Sequence, residues 1–383
     1  MAIAAPPREP AVTESVPYDP IELLIEEART RARRRRLAYG AAVVALAVIA
    51  GVMALDDTGS SGGPASSAVD GPAVAAPAVV DLDQARGRIV YAVGHRLEAV
   101  DPADPSSRLI LDVPAELSSN RPDGVNVVPA GWSADGTRLA LTDEYSGARY
   151  VMAANGAVTR VPSNMGCCWF ITSGWLSPDG TTAVELLGRQ RVVLRDVDDV
   201  SATHVVNLER GDGHPGSFIF AWSPDGSQIA YTGFRRVGTA VVPVPSVYVV
   251  DLERGTTRQL AGREFGHIRQ MAWSPDGSQL AVVAGAPVRF DPTWQSNPMA
   301  APREASLYLV DVDGSDPREI ASGHYVAATW SPDGAQLAAI DFASRRRQVV
   351  LMNADGSEPR VLVELPPHDL FTGVAWHPQP DES

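Results

Sequence analysis

The stretch Trp-Ser-Pro-Asp-Gly limits what this chain can fold into, because it recurs. It stands intact at residues 222–226, 273–277 and 330–334. Variants occur at Trp132-Ser133-Ala134-Asp135-Gly136 and Trp175-Leu176-Ser177-Pro178-Asp179-Gly180, and a degraded copy stands at Trp376-His377-Pro378. The tryptophans Trp132, Trp175, Trp222, Trp273, Trp330 and Trp376 follow one another at 43, 47, 51, 57 and 46 residues. Self-similarity at such a period is the mark of propellers and solenoids, in which each repeat is one supersecondary unit.

The setting of each copy tells which. Small and apolar residues precede the Trp, as in Ser217-Phe218-Ile219-Phe220-Ala221, and a short alternating run follows the Gly, as in Gln228-Ile229-Ala230-Tyr231. Pro presets φ for a tight turn, Asp bonds back to the backbone, and Gly accepts positive φ, so the two runs form a hairpin. A third run (Ser246 to Asp251) and a fourth (Thr257 to Leu260) complete four strands, the content of one propeller blade. Five blades read as about 126–162, 169–208, 217–261, 266–321 and 325–364. The runs at 88–93, 95–100 and 108–111 lack a first strand, and residues 370–376 are a first strand with nothing after it. Joining them gives a sixth blade and removes two open sheet edges. The fold class expected is therefore all-β: a six-bladed β-propeller with four-stranded blades, over residues 86–378.

The Trp-Ser-Pro-Asp-Gly turn, followed by a strand and then Tyr-Val-Val-Asp, resembles the WD40-like (PD40) repeat of TolB-type β-propellers, over roughly residues 88–378. The resemblance implies the fold; a fold hosts many functions, so it implies no activity. It also sets contrasts. The α/β domain that precedes the TolB propeller does not fit in residues 1–87, and the hydrolase domain that accompanies similar repeats in prolyl oligopeptidases has no room after the last repeat. Neither translocation nor peptidase activity is expected, and no catalytic residue is assigned.

The chain before the repeats reads as three segments. In residues 1–36, Asp19 caps a short amphipathic helix with Pro20 at its first position and Glu22 completing a capping box; Ile21, Leu24, Ile25 and Ala28 share one face. Residues 37–55 carry no charge, enough for a transmembrane helix of roughly 28 Å. Arg33 to Arg36 precede them and Asp56-Asp57 follow, which orients the N-terminus to the cytoplasm and the repeats outward, at the plasma membrane. A cleaved signal peptide is the rival, with Val52-Met53-Ala54 as its cleavage site; the 36-residue leader favours an uncleaved, single-pass anchor. Residues 56–85, rich in Gly, Ser, Pro and Ala, read as a flexible linker.

Charge narrows the partners. The formal net charge is −14, and residues 1–36 hold seven Arg and six acidic residues, so the rest of the chain is still more acidic. Such a surface repels nucleic acid, and no nucleic-acid partner is expected.

Alternation of strand direction sorts the connections by face. The Pro-Asp-Gly turns share one face; the long connections, including the 21-residue stretch 285–305, share the other, and connections longer than a plain link needs usually carry function. The candidate binding residues follow: Arg289, Phe290 and Trp294 as interface anchors in the longest connection, and His214, His267, His324 and His368 near the starts of successive first strands. Their bland readings are a loop folded on its own blade and satisfied polar residues. The repeated Asp residues read as turn chemistry and the repeated Trp as core between blades. Cys167-Cys168, the whole cysteine content, reads as a vicinal disulfide, a pair of thiols for a soft metal or an intermolecular link; two sulfurs alone do not make a metal site, so a structural or redox-adaptive loop is favoured and no metal and no cofactor are expected. The function expected is an extracytoplasmic protein-interaction or scaffolding module of the cell envelope, held by residues 37–55 and using the long-connection face. A carbohydrate- or small-molecule-binding propeller and a sensor signalling through residues 1–36 are the alternatives.

Overall fold

The computed structural model describes residues 78–378 apart from 95, 115–116, 118–126, 144–145, 163–173, 187–190, 208–213, 238–239, 261–264, 266, 286–303, 316, 343–346 and 367–372. The chain divides into two compact units, Met1–Val74 and Ala75–Ser383, and the description concerns the second. The expected cytoplasmic helix and the transmembrane helix at 37–55 lie outside the described residues. Among the described residues no helix is long and apolar enough to cross a membrane.

Among the described residues twenty-four strands make six sheets. The first runs are β1 (Ala78–Val80), β2 (Ile89–Val93), β3 (Arg96–Val100) and β4 (Arg108–Leu111). Blade 2 is β5 (Val127–Trp132), β6 (Arg138–Asp143), β7 (Arg149–Ala153) and β8 (Val158–Val161). Blade 3 holds β9 (Thr182–Leu186), β10 (Arg191–Asp196) and β11 (Thr203–Asn207). Blade 4 is β12 (His214–Trp222), β13 (Gln228–Val237), β14 (Ala240–Asp251) and β15 (Thr257–Gln259). Blade 5 is β16 (Ile268–Trp273), β17 (Gln279–Ala284), β18 (Ser306–Asp311) and β19 (Arg318–Ala321). Blade 6 is β20 (Tyr325–Trp330), β21 (Gln336–Asp341), β22 (Arg347–Asn353) and β23 (Arg360–Leu365), and β24 (Val374–Trp376) comes last.

Strand β24 pairs antiparallel with β2, Trp376 opposite Ile89, and so supplies the first strand that blade 1 lacks. The ring closes by joining the two ends of the repeat array, as the incomplete runs require. First strands of neighbouring blades touch, β12 with β16, β16 with β20, β20 with β24 and β24 with β5, so they form the inner ring. Each blade buries its faces against its neighbours: Ile219, Val247 and Val249 of blade 4 pack with Met271, Leu280 and Val282 of blade 5, and Ile89 and Tyr91 of blade 1 with Val326, Ile340 and Val349 of blade 6.

Two features depart from the sequence expectation. The fold takes in residues assigned to the linker: β1 runs parallel to β4 as a fifth, outermost strand, and the 3₁₀ turn Leu82–Ala85 buries Leu82 and Ala85. Nothing in a three-residue apolar run beside Pro and Ala separates an added edge strand from a tether. Blade 3 is the other. Among the described residues its first run pairs with β9 at an isolated bridge, Leu176 opposite Ala183, flanked by the bonds from Ser177 N–H to Thr182 O and from Val184 N–H to Trp175 O. In the other blades that register position holds the repeated Trp, Trp222 opposite Ile229 and Trp273 opposite Leu280. Trp175 is therefore one residue out of step, and Leu176 stands in the tryptophan place.

Candidate functional site

The two faces of the ring handle their polar groups differently. On the turn face every described Pro-Asp-Gly turn is closed on itself. In blade 4 the Ser223 hydroxyl donates to Asp225 Oδ1 (2.5 Å), the Ser227 N–H donates to the same oxygen (3.0 Å), and the Gln228 N–H donates to Ser223 Oγ (2.9 Å). Asp276 and Asp333 make the same bonds, with Ser274 and Ser278 N–H and with Ser331 and Ala335 N–H. The serine hydroxyls foremost, then the backbone donors, hold Asp225, Asp276 and Asp333 below the usual carboxylate range. In each turn Oδ1 accepts from both the serine and the backbone, so turn chemistry accounts for these carboxylates.

Three in-register tryptophans, Trp222, Trp273 and Trp330, tie their blades to the one before. Trp273 Nε1 donates to Ala221 O (2.9 Å), Trp330 Nε1 to Ala272 O (3.1 Å) and Trp222 Nε1 to Trp175 O (3.4 Å). Trp376 Nε1 donates to Gly87 O (3.1 Å). Trp132 Nε1 has no partner among the described residues, and its ring instead meets the edge of the His377 ring, centroids 4.4 Å apart. His377 Nε2 lies 3.2 Å from Gly136 O.

The opposite end, the loop face, carries the starts of the inner strands. The backbones of His214, His267 and His324 stand there: His214 opens β12, His267 immediately precedes β16 and His324 immediately precedes β20. His267 Nε2 accepts from Arg269 Nε (3.1 Å), which leaves the ring proton on Nδ1. Burial, and then the Arg269 charge, lower the His267 pKa to about 4. Gly285 lies against this ring; a Cβ there would sit 2.4 Å from Nδ1, so the residue after β17 must lack one. Arg269 occupies a bulge, since the register of β16 against β17 shifts between Ile268 and Gln270. The neighbouring Gln270 is buried and accepts from the Ala328 N–H of blade 6. His324 donates its backbone N–H to Asp341 Oδ1 (3.3 Å) and its carbonyl accepts from the Phe342 N–H (3.0 Å); the other oxygen of Asp341 accepts from Gln348 Nε2 (3.2 Å). Among the described residues no three His, Cys, Asp or Glu side chains gather as a metal ion requires. His368, Arg289, Phe290, Trp294, Cys167 and Cys168 lie outside the described residues, as does the side chain of His214.

Ionisable groups that the sequence reading passed over are buried toward this face. Glu98 is buried, accepting from Tyr91 Oη (3.0 Å) and Arg96 Nε (2.8 Å). Burial first, then the Glu98 charge, push the Tyr91 hydroxyl well above its ordinary value. Between blades 2 and 3, Arg149 is 1% exposed and Glu185 3% exposed. Arg149 Nη1 donates to Val184 O (2.6 Å), and its guanidinium lies 5.3 Å from the centre of the Trp175 ring. Trp175 Nε1 in turn donates to Thr142 Oγ1 (3.1 Å). Glu185 Oε2 lies 3.6 Å from Arg195 Nη2. Burial brings the Arg149 pKa down to about 10, and Glu185 opposes that shift.

The signal for this pair was in the repeat, read by column. The position of Arg149 is Leu97, Val192, Val247, Leu307 and Val349 in the other blades. That of Glu185 is Tyr91, Leu141, Tyr231, Val282 and Ala339. Two uncharged core columns are thus broken, in adjacent blades and facing each other.

No family model matches the chain. A stretch of 67 residues is 31% identical to dipeptidyl-peptidase 5 of Porphyromonas gingivalis, a match covering 17% of this chain and 10% of that protein's length. Among solved structures the chain is similar to TolB from Acinetobacter baumannii, with a TM-score of 0.53 and 18% identity, over 76% of this chain and 67% of that one. It is also similar to a chain of a nidogen/laminin complex, with a TM-score of 0.50 and 14% identity, over 76% and 98% of the two chains. At these identities the likeness establishes the fold, a TolB-like β-propeller.

Proposed function

We propose that this propeller is a protein-interaction module of the PD40 kind, anchored in the plasma membrane by residues 37–55 and presenting its loop face to a partner outside the cytoplasm. The observation that carries the reading is the contrast between the faces. The turn face carries five near-copies of one hairpin whose Asp and Ser groups bond to each other, which leaves little to distinguish one partner from another. The loop face carries connections of unequal length and blade-specific charges, among them Arg96, Arg269 and Arg347. Specificity needs such differences. The anchor and its orientation rest on the apolar run at 37–55 and the arginines before it.

Site-specific photo-crosslinking in intact cells tests the interaction. A photoreactive residue at Arg96, on the loop face, is expected to capture one partner, and one at Arg254, on the turn face, is expected to capture none. Equal capture from both faces, or from neither, would overturn the reading. Protease added to spheroplasts tests the orientation, since the propeller must be reached without breaking the membrane.

A further inference from the structure

The interface of blades 2 and 3 contains a buried cation whose hydrogen bonding is unfinished. Arg149 uses Nη1 on Val184 O, but among the described residues Nε and Nη2 have no hydrogen-bond partner. These two atoms form one edge of the planar guanidinium and project parallel N–H bonds, the geometry that takes both oxygens of a carboxylate. Burying charged donors without acceptors is strongly unfavourable, so the edge calls for one.

The irregularity of blade 3 explains why the guanidinium is there. In blade 4, Ala221 of the first strand pairs with Ala230. In blade 3 the carbonyl of Val184, which holds the place of Ala230, is reached by the Arg149 guanidinium from the blade before. Gly174, at φ +67°, turns the chain away, and its N–H bonds to Ala130 O of blade 2 (2.8 Å). Trp175 bonds to Thr142 of blade 2 and lies over the Arg149 guanidinium. The local charge is also unbalanced. Glu185 lies 3.6 Å from Arg195, while Arg149 makes no ion pair within 4.0 Å among the described residues.

We propose that this is a binding site for a carboxylate, held side-on by Nε–H and Nη2–H of Arg149 between blades 2 and 3. Arg149 is the first residue of β7, at the end of that strand nearer the loop face. It does not depend on the protein-interaction reading, and its test involves no partner protein.

The test is the thermal unfolding midpoint of the full chain in detergent, titrated with sodium acetate, with acetamide and sodium chloride at matched ionic strength as controls. A ligand that binds only the folded state raises the midpoint with its concentration. Acetate is expected to do so saturably, and the controls are not. Arg149→Lys keeps the charge but loses the two-pronged edge, and is expected to weaken acetate binding about tenfold or more. Glu185→Gln removes the opposing negative charge and is expected to tighten binding about threefold or more, which keeps the assignment testable should the lysine variant not fold. Ala-Ala-Ala and its C-terminal amide separate two sources of the carboxylate. Binding by the free peptide alone, with none by the amide, points to a peptide terminus; binding by acetate without the peptide points to a small free acid. No saturable response to acetate in the native chain overturns the site, as does an undiminished response in a folded Arg149→Lys chain or an unaltered one in Glu185→Gln. Such a result gives the edge to water or to the chain's own acceptors.

Discussion

At the scale of single residues, the turn glycines look interchangeable and are not. Gly136 and Gly226 have φ of +70° and +72°, so an alanine at either position carries the same left-handed strain of about 1–2 kcal/mol. A Cβ at Gly226 meets nothing within 4 Å, whereas one at Gly136 would lie 2.4 Å from His377 Cε1. Gly136→Ala is therefore expected to be more destabilising than Gly226→Ala by about 1 kcal/mol in denaturant unfolding. In a His377→Ala chain the two should become equal; a difference that persists there would mean that His377 is not the cause. His267 gives a prediction in pH. Its folded pKa of about 4 lies below the ordinary 6.5, so between those values the unfolded chain binds the proton and the folded one does not. Stability must then fall as pH is lowered from 6.5 toward 4, and His267→Gln is expected to flatten that slope. His377, also depressed by burial, keeps part of the slope in the variant. An unchanged slope would show that His267 is protonated in the folded protein. The same scale marks the limit of reading the sequence. The turn Asp residues were legible because a turn is local chemistry, whereas Arg149 and Glu185 show their meaning only when six blades are aligned by register.

At the scale of elements, the repeat fixed where strands begin and end because each Pro-Asp-Gly turn punctuates the chain at a known point. The closure was legible for the same reason, as a missing first strand at one end and a surplus one at the other. Strand β1 was not, since an outermost strand needs only backbone pairing and its three residues carry no alternation. Trp175 misled because the insertion of Leu176 keeps the motif visible while shifting its register by one, which turns each side chain to the other side. Closure itself can be tested. Strand β24 buries Val374, Ala375 and Trp376, and the bond from Trp376 to Gly87 goes with it. A chain stopped after Gly373 is expected to lose on the order of 5 kcal/mol, comparable to the total stability of many domains. Circular dichroism would show it largely unfolded or melting far lower, and a peptide of residues 371–378 added in excess should restore part of the loss. A truncated chain that melts like the intact one would mean that blade 1 stands without its inner strand.

At the scale of the whole molecule, the division into units at residue 75 predicts that a chain beginning there keeps the propeller whole. Its unfolding midpoint should lie within about 2 °C of the full chain's, since a surface change away from packed groups moves stability by about 0.5 kcal/mol or less. A drop of about 10 °C would instead show that residues 1–74 support the ring. The formal charge of −14 bears on the same molecule in solution: acidic self-repulsion favours solubility and slows approach to acidic surfaces. The closing pair, Ile89 with Trp376, joins positions 287 residues apart. On a ribosome, β2 emerges long before the strand that completes its sheet. The later blades can each gather their own strands as they are made, but the circle is finished only after residue 376 has left the tunnel. Until then blade 1 offers an unpaired inner edge, and the interfaces on either side of it lack Trp376 and its neighbours. Maturation of this protein therefore has a last step set by chain topology, slow because its contact is so distant in sequence. A chain that crosses a membrane during synthesis would make that step on the far side.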